Sequence, residues 1–462
     1  MQKPTPSAPA HALDRLERAV SAAAQDLPKV RVGGVVTEVT PAYCRVSGLS
    51  QFAKLGECIE LGSLGEPTQL GEVVRIDEGG VTVKPFDPIM KAGLGTPARR
   101  RGFVTLNPHA AWKGRVINAL GAPLDGAGPL PQGDATLSTD REPPAAMRRQ
   151  RVRTPLRTGV KVIDIFTPIC AGQRIGIFAG SGIGKSTLLA MLARSRGFDT
   201  AVIALVGERG REVRDFLEDA LTHDRSRAVT VVATGDESPM MRRLAPKTAM
   251  CIAEYFRDCG ENVLLILDSV TRFAHAARDV ALAAGEPPVA RGYGPSVFTD
   301  LPKLLERAGP GEEGAGSITG VFSVLVDGDD HNDPVADSIR GTLDGHIVLD
   351  RAIADLGRYP AVSVLSSVSR LAKAVWTLDQ WKLVVRLKAM IAHFEDTRDL
   401  RLMGGYRSGA DPELDKAIGL VPLVYEALRQ SPEEAFSADA FQDLARALAA
   451  DTQPAQAAAA TR

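Results

Sequence analysis

Residues 179–187 read Ala-Gly-Ser-Gly-Ile-Gly-Lys-Ser-Thr, directly after the apolar run Arg-Ile-Gly-Ile-Phe and before Leu-Leu-Ala-Met-Leu-Ala-Arg. The order is strand, glycine-rich loop, lysine, hydroxyl, helix. It commits this stretch to an α/β layout in which a strand feeds a helix through a tight turn. Gly180, Gly182 and Gly184 carry no Cβ, so the loop over Gly180, Ser181, Gly182, Ile183 and Gly184 can curl with its N–H groups turned inward on phosphate oxygens. The positive end of the helix dipole adds to that cradle where Ser186 and Thr187 open the helix. Lys185 can reach the β and γ phosphates of a nucleotide, and the Ser186 hydroxyl can hold Mg²⁺. Ala179 stands where the pattern usually begins with glycine, which a backbone cradle tolerates if this position keeps negative φ.

The chain of 462 residues has room for two to four domains. Its net charge is −1, with 55 Lys+Arg against 56 Asp+Glu, which gives no support for a generic binder of nucleic acid or of membrane surfaces. Cys44, Cys58, Cys170, Cys251 and Cys259 are scattered without a Cys-x-x-Cys pair, as expected of reduced core thiols in a cytosolic protein. Residues 1–10 lack the apolar core of a signal peptide, and no window approaches the roughly 20 apolar residues of a membrane span.

Residues 11–26 pattern as a short amphipathic helix, with Leu13, Leu16, Val20 and Ala23 on one face; it either packs on its own domain or docks a partner. From Val30 to about Ala98, short alternating strands punctuated by Gly and Pro predict a small β-barrel. Pro143, Pro144 and the basic run Arg148 to Arg153 read as a linker. Apolar runs at 174–179, 201–206, 229–234, 263–267 and 317–326 lack alternation, as strands of a parallel sheet covered on both faces do. Beyond Leu371 the periodicity is helical, at 376–394, 413–427 and 438–449. Residues 451–462 are rich in Ala and Gln and are expected to be disordered.

Phosphate-loop chemistry needs further parts: a carboxylate for Mg²⁺, a group to orient the attacking water, and positive charge on the transferred phosphoryl. The run Val-Leu-Leu-Ile-Leu ending in Asp268 places a carboxylate at the carboxyl edge of the sheet, where open α/β sheets bind ligands. The segment Gly-Glu-Arg-Gly-Arg-Glu at 207–212 puts Glu208 at the same edge. Spacing alone leaves two roles open for it: lining up a water, or pairing with Arg209 or Arg211.

These segments, with Tyr-Pro-Ala-Val-Ser-Val-Leu-Ser-Ser-Val-Ser-Arg at 359–370, resemble the hexameric rotary ATPases and their catalytic β subunits. Four further stretches (residues 291–298, 326–331, 337–351 and 408–416) resemble the type III secretion branch, and within it the flagellar export ATPases of the FliI family. Ala179 is the usual first letter of the loop in that branch, whereas Gly294 and Ser363 depart from the family pattern. The resemblance implies an N-terminal β-barrel (28–98), a central RecA-like phosphate-loop domain with a mainly parallel sheet (99–370) and a C-terminal helical domain (371–450). Residues 1–27 would be a partner-binding segment and 451–462 a tail.

By the same resemblance, Lys185 and Ser186 are the phosphate lysine and Mg²⁺ hydroxyl, Glu208 positions water, Arg209 lies near the phosphates, and Arg272 falls on another arginine of the β-subunit site. Asp268 belongs to the Mg²⁺ shell and Tyr359 stacks on adenine. Arg370 is an arginine finger offered to the neighbouring subunit's ATP. The implied activity is Mg²⁺-dependent ATP hydrolysis by a homohexameric ring that energises type III export. The implied partners are the stator-like regulator FliH at the amino terminus, the coiled-coil stalk FliJ, the export gate, chaperones and secretion substrates. The implied location is the cytoplasmic side of the inner membrane. The competing expectations are a rotary β-type subunit that needs a distinct α partner, a ring RNA translocase, and a scaffold that binds ATP without hydrolysing it. With Tyr43, Phe52 and Phe86 as the aromatics of residues 30–98, the barrel is a poor stacking surface for RNA.

Overall fold

The computed structural model describes residues 32–63, 67–219, 225–326 and 333–459, with a few helical positions between 13 and 20. The partner-binding segment expected over 1–27, apart from those positions, and the motif at 327–331 lie outside the described residues. The chain forms two compact units, one ending at Phe103 and one running from Val104, with Phe86–Pro88 belonging to the second.

In the first unit β1 (Gly33–Val39), β2 (Cys44–Ser47), β3 (Cys58–Leu61), β4 (Gln69–Asp77), β5 (Gly80–Pro85) and β6 (Pro97–Gly102) close a barrel in the order β1-β2-β5-β4-β3-β6. Every pairing is antiparallel, and closure leaves no strand edge for foreign pairing. Alternate side chains turn inward, so Val36, Val46, Ile59, Val73, Val81 and Val83 fill the interior. Arg100 grips the buried Glu57 with two hydrogen bonds.

The second unit is built on a sheet whose main strands are β7 (Val116–Asn118), β8 (Arg174–Ala179), β9 (Thr200–Val206), β10 (Ala228–Ala233), β11 (Asn262–Asp268), β12 (Ser317–Leu325), β13 (Gly345–Val348) and β14 (Val368–Ser369). They lie in the order β14-β13-β8-β12-β11-β9-β10-β7, all parallel except β14. β9, β10 and the body of β11 are buried on both faces, which is why they carry Val, Ile, Leu and Ala without alternation. The crossovers include helices α1 (Lys185–Ala193), α2 (Gly210–Asp219), α3 (Pro239–Asp258) and α4 (Val270–Ala283). Ser238 caps α3 by accepting from the Met241 N–H, and Ser269 caps α4 from Arg272.

The carboxyl-terminal part is helical: α5 (Leu378–Asp396), α6 (Pro412–Leu428) and α7 (Ala440–Ala459). Thr377 and Gln380 form a capping box at the start of α5. Val384, Leu387 and Ile391 of α5 and Leu414, Val421 and Val424 of α6 join the apolar core under the phosphate-loop strand, so this end packs as part of one core with the sheet. Residues 451–462, expected as a disordered tail, are helical as far as Ala459; alanine is the best helix former, and the run simply extends α7. The basic run read as a linker is held in place: Arg148 pairs with Glu312, Arg149 with Glu306, and the Gln150 N–H donates to the Gly311 carbonyl. Four cysteines are buried thiols as expected, but Cys259 is exposed beyond the end of α3. Among the described residues no helix is long and apolar enough to cross a membrane.

Candidate active site

Four neighbouring strands of the sheet, β8, β12, β11 and β9, deliver side chains to one carboxyl edge. β8 ends at Ala179, which keeps negative φ, so the missing glycine costs nothing there. Gly182 and Gly184 have φ of +79° and +88°, the left-handed region that turns the loop back over the head of α1. Ile183 is buried and pins the loop to the core, while Ser181, Ser186 and Thr187 face solvent. The Arg351 guanidinium donates to the Ser181 carbonyl at 3.0 Å and braces the outer turn.

Lys185 is the buried residue at the head of α1. Its ammonium contacts Asp268 Oδ1 at the end of β11, lies 3.3 Å from Ser323 Oγ of β12, and 3.7 Å from Glu208 Oε1 after β9. Ser323 in turn donates to Asp268 Oδ1 at 2.7 Å. Sequence reasoning missed Ser323, although a hydroxyl inside an otherwise apolar buried strand was a usable signal.

Glu208 is buried, and its Oε1 accepts no hydrogen bond from the described residues. Burial pushes its carboxyl up to about 7, helped by the hydrogen bond shared with Glu212 and by the Asp268 charge, against Lys185 and Arg272. Glu212 in the first turn of α2 is held below the ordinary carboxylate range, first by that shared hydrogen bond. Arg272 of α4 bonds to the Gly207 carbonyl and sits 3.3 Å from Glu208 Oε2. Gly207 has φ of +69°, and a Cβ there would stand 2.7 Å from Arg272 Cδ, so only glycine lets the guanidinium come so near. The alternative open at the sequence level, Glu208 paired with Arg209 or Arg211, is not what the structure shows: both arginines are exposed, and Arg211 pairs with Asp215.

Beside the loop lies a cleft of about 700 Å³, lined by Gly184, Thr187, Met191, Tyr359, Gln430 and Ser431 among others. The Tyr359 ring packs 3.5 Å from where a Gly184 Cβ would stand, and the residue lines the cleft while remaining 48% exposed. Gln430 is locked as cleft wall by accepting from the Lys161 N–H and donating to the Gly159 carbonyl.

Arg370 lies elsewhere. Its N–H donates to the Asp344 carbonyl, and the Asp344 N–H donates to the Arg174 carbonyl at the start of β8. The six residues of β8 separate that level from the phosphate loop by about 17 Å. The exposed Arg370 side chain thus belongs to the opposite edge of the sheet from Lys185, Glu208 and Asp268. Of the two departures from the family pattern, Gly294 precedes a helix as an extended cap, and Ser363 is buried with its hydroxyl accepting from the Ser366 N–H.

Residues 159–369 match the nucleotide-binding domain of the ATP synthase alpha/beta family, and residues 376–447 match the C-terminal domain of the T3SS EscN ATPase. Over 424 residues the chain is 58% identical to the Flagellum-specific ATP synthase of Agrobacterium fabrum, covering 92% of this chain and 89% of that one. The Type 3 secretion system ATPase of Xanthomonas euvesicatoria is 41% identical over 420 residues, 89% of this chain and 93% of that one. The assembled ATPase EscN of the enteropathogenic E. coli type III secretion system superposes with a TM-score of 0.84 at 40% identity, over 90% of this chain and 99% of that one. EscN in complex with its central stalk EscO gives 0.81 at 39% identity, with the same coverage. With a glycine loop at the head of a helix, a buried lysine between two carboxylates, a cleft beside the loop, and relatives that match nearly end to end, the chain belongs to the flagellar and type III secretion ATPase family and is an ATPase of protein export.

Proposed function

We propose that the chain hydrolyses ATP as a homohexameric ring in which each active site is completed by the neighbouring copy. The observation that carries this reading is the separation of Glu208 and Arg370 on opposite edges of one sheet. An arginine about 17 Å from its own phosphate loop cannot reach it, yet is exposed for another copy's.

Within one chain, the N–H groups from Gly180 to Thr187 cradle the phosphates and Lys185 neutralises the β and γ oxygens. Tyr359 stacks on the adenine. Glu208 accepts from the attacking water through Oε1, which takes no hydrogen bond from the described residues, and aims it at the γ-phosphorus. Arg272 holds Glu208 in place, and Arg209 is the exposed cation at the mouth. From the next copy, Arg370 stabilises charge on the transferred phosphoryl, a role worth on the order of 10³–10⁵ in rate.

The donors available for Mg²⁺ are hard oxygens, the Ser186 hydroxyl and the Asp268 carboxylate, and they suit that cation. Among the described residues no group of three or more His, Cys, Asp or Glu forms a protein cage, which fits a cation shared with phosphate oxygens. When bound, Mg²⁺ neutralises charge between the β and γ phosphates.

A central stalk comparable to EscO, a FliJ-like coiled coil, would thread the ring. A FliH-like regulator would hold residues 1–27, placing the ring at the cytoplasmic face of the export gate, where chaperones and secretion substrates arrive. The test is ATPase rate against protein concentration. Wild type should rise cooperatively, and Arg370→Ala should stay near basal at every concentration. A strictly monomeric wild type that turns over at full rate would refute the reading, and a ring that needs a second kind of chain would favour the rotary β-type alternative.

A further inference from the structure

The segment that carries Arg370 is fastened at nearly every polar group. The Ser367 N–H donates to the Ser363 carbonyl, and its hydroxyl accepts from the Val348 N–H at 3.0 Å. Ser369 Oγ accepts from Gln173 at 3.2 Å and donates to the Pro168 carbonyl at 2.8 Å. The Ser366 carbonyl meets the His346 ring at 3.1 Å. All these partners belong to the phosphate-loop domain, from Pro168 and Gln173 before the foot of β8 up to Val348, which pairs with Phe178 near its head.

One partner does not. Ser367 is fully buried, so its carbonyl needs a donor, and that donor comes from the carboxyl-terminal helices: Lys388 Nζ on α5, at 3.3 Å. The lysine makes no ion pair with a carboxylate among the described residues, and burial holds its ammonium below the ordinary lysine range. The side chain is half-buried, and a partly desolvated cation whose acceptor among the described residues is one carbonyl adds little net stability. What the lysine adds is a directional tie between α5 and Ser367, three residues before Arg370. Leu378, Trp381, Leu383 and Val385 of α5 are exposed apolar residues, and helical spacing puts Trp381 and Val385 on the same side of the helix as Lys388.

We propose that Lys388 is a positioning residue for Arg370: it fixes the finger segment through the Ser367 carbonyl and so ties an arginine that works in the next copy to the carboxyl-terminal helices of its own. This rests on the trans-finger reading above. A displacement of about 1 Å in a catalytic group costs up to about a hundredfold in rate. Lys388→Met should therefore lower kcat by on the order of tenfold or more while leaving the KM for ATP and ring assembly unchanged. Lys388→Arg, which keeps an N–H donor, should recover most of the rate.

The decisive experiment mixes full-length subunits. A Glu208→Gln chain has a dead site of its own but an intact finger. Mixed with Lys388→Met it should restore turnover, because it supplies well-placed fingers to the intact sites of the Lys388→Met chains. Mixing Glu208→Gln with Arg370→Ala is the control. Rescue of Arg370→Ala but not of Lys388→Met would show that Lys388 serves its own site, and an unchanged kcat in Lys388→Met would show that it serves none; either overturns the proposal. If neither mixture recovers, the trans reading of Arg370 itself falls. Should Lys388→Met unfold, Lys388→Gln keeps a polar stem too short to reach the carbonyl, and is read in the same way.

Discussion

Glu208→Gln should make the protein inactive and more stable, with the stability gain confined to neutral and alkaline pH. Burial raises the Glu208 carboxyl from 4.5 to about 7. At 1.36 kcal/mol per pH unit, ionising it in the folded nucleotide-free chain costs about 3 kcal/mol. The sign follows from proton counting. Between pH 4.5 and 7 the folded chain retains a proton that the unfolded chain has lost, so wild-type stability falls as pH rises through that window and stays low above it. Glutamine is neutral throughout, and its amide can still donate to Glu212, whose own contribution is then preserved. The stability gap between variant and wild type should be about 3 kcal/mol at pH 8 and under about 1 kcal/mol at pH 5. For a unit of this size that is an upward shift in Tm of roughly 2–5 °C at pH 8. The assay is thermal unfolding of both proteins without nucleotide at the two pH values, with ATP turnover measured in parallel. Turnover should fall to background. A variant less stable than wild type at pH 8, or a gap of equal size at both pH values, would refute the electrostatic account of Glu208. Undiminished turnover would remove it from the reaction.

Tyr359→Ala should raise KM for ATP by roughly 5- to 100-fold with little change in kcat, because stacking on a base is worth about 1–3 kcal/mol and the ring touches no phosphate; steady-state kinetics checks this, and a fall in kcat alone would contradict it. Gly207→Ala places a Cβ 2.7 Å from Arg272 Cδ at a φ of +69°. It should displace Arg272 from Glu208 and cut kcat at least tenfold, whereas retained turnover would mean that this close approach is not required.

Burial and period made most of the architecture legible. The strand read at 174–179 is the one observed, and the other four interior strands of the sheet agree to within a residue or so at each end, because a strand buried on both faces leaves an unbroken apolar run. β7, β13 and β14 were not recognised: with three, four and two residues they are too short to show a period, and Asn118 or Gly345 dilutes the apolar signal. Lys185, Asp268 and Glu208 were legible because each follows an apolar run and so falls at the same sheet edge. Glu212 was legible only as a letter of its motif, since its hydrogen bond to Glu208 depends on how α2 turns after Gly210. Lys388 had no sequence signature at all. One lysine in an amphipathic helix reads as a solvated charge, and only the fold brings it under the Ser367 carbonyl.

The placement of these groups separates binding from turnover. Everything proposed to grip ATP is in one chain: the glycine cradle, Lys185, the Asp268 and Ser186 oxygens, and the Tyr359 cleft walled by Gln430. The charge proposed to complete the transition state, Arg370, sits at the far edge of the sheet. Interactions made equally in the ground and transition states set affinity, and those made only in the transition state set rate. An isolated chain on this reading binds nucleotide about as well as a ring does but cannot hydrolyse it fast, so assembly at the export site, and not nucleotide supply, is where the rate is controlled. Holding Arg370 through Lys388 extends that control to the carboxyl-terminal helices: a partner pressing on the exposed face of α5 can change a neighbour's turnover without touching any residue that contacts ATP.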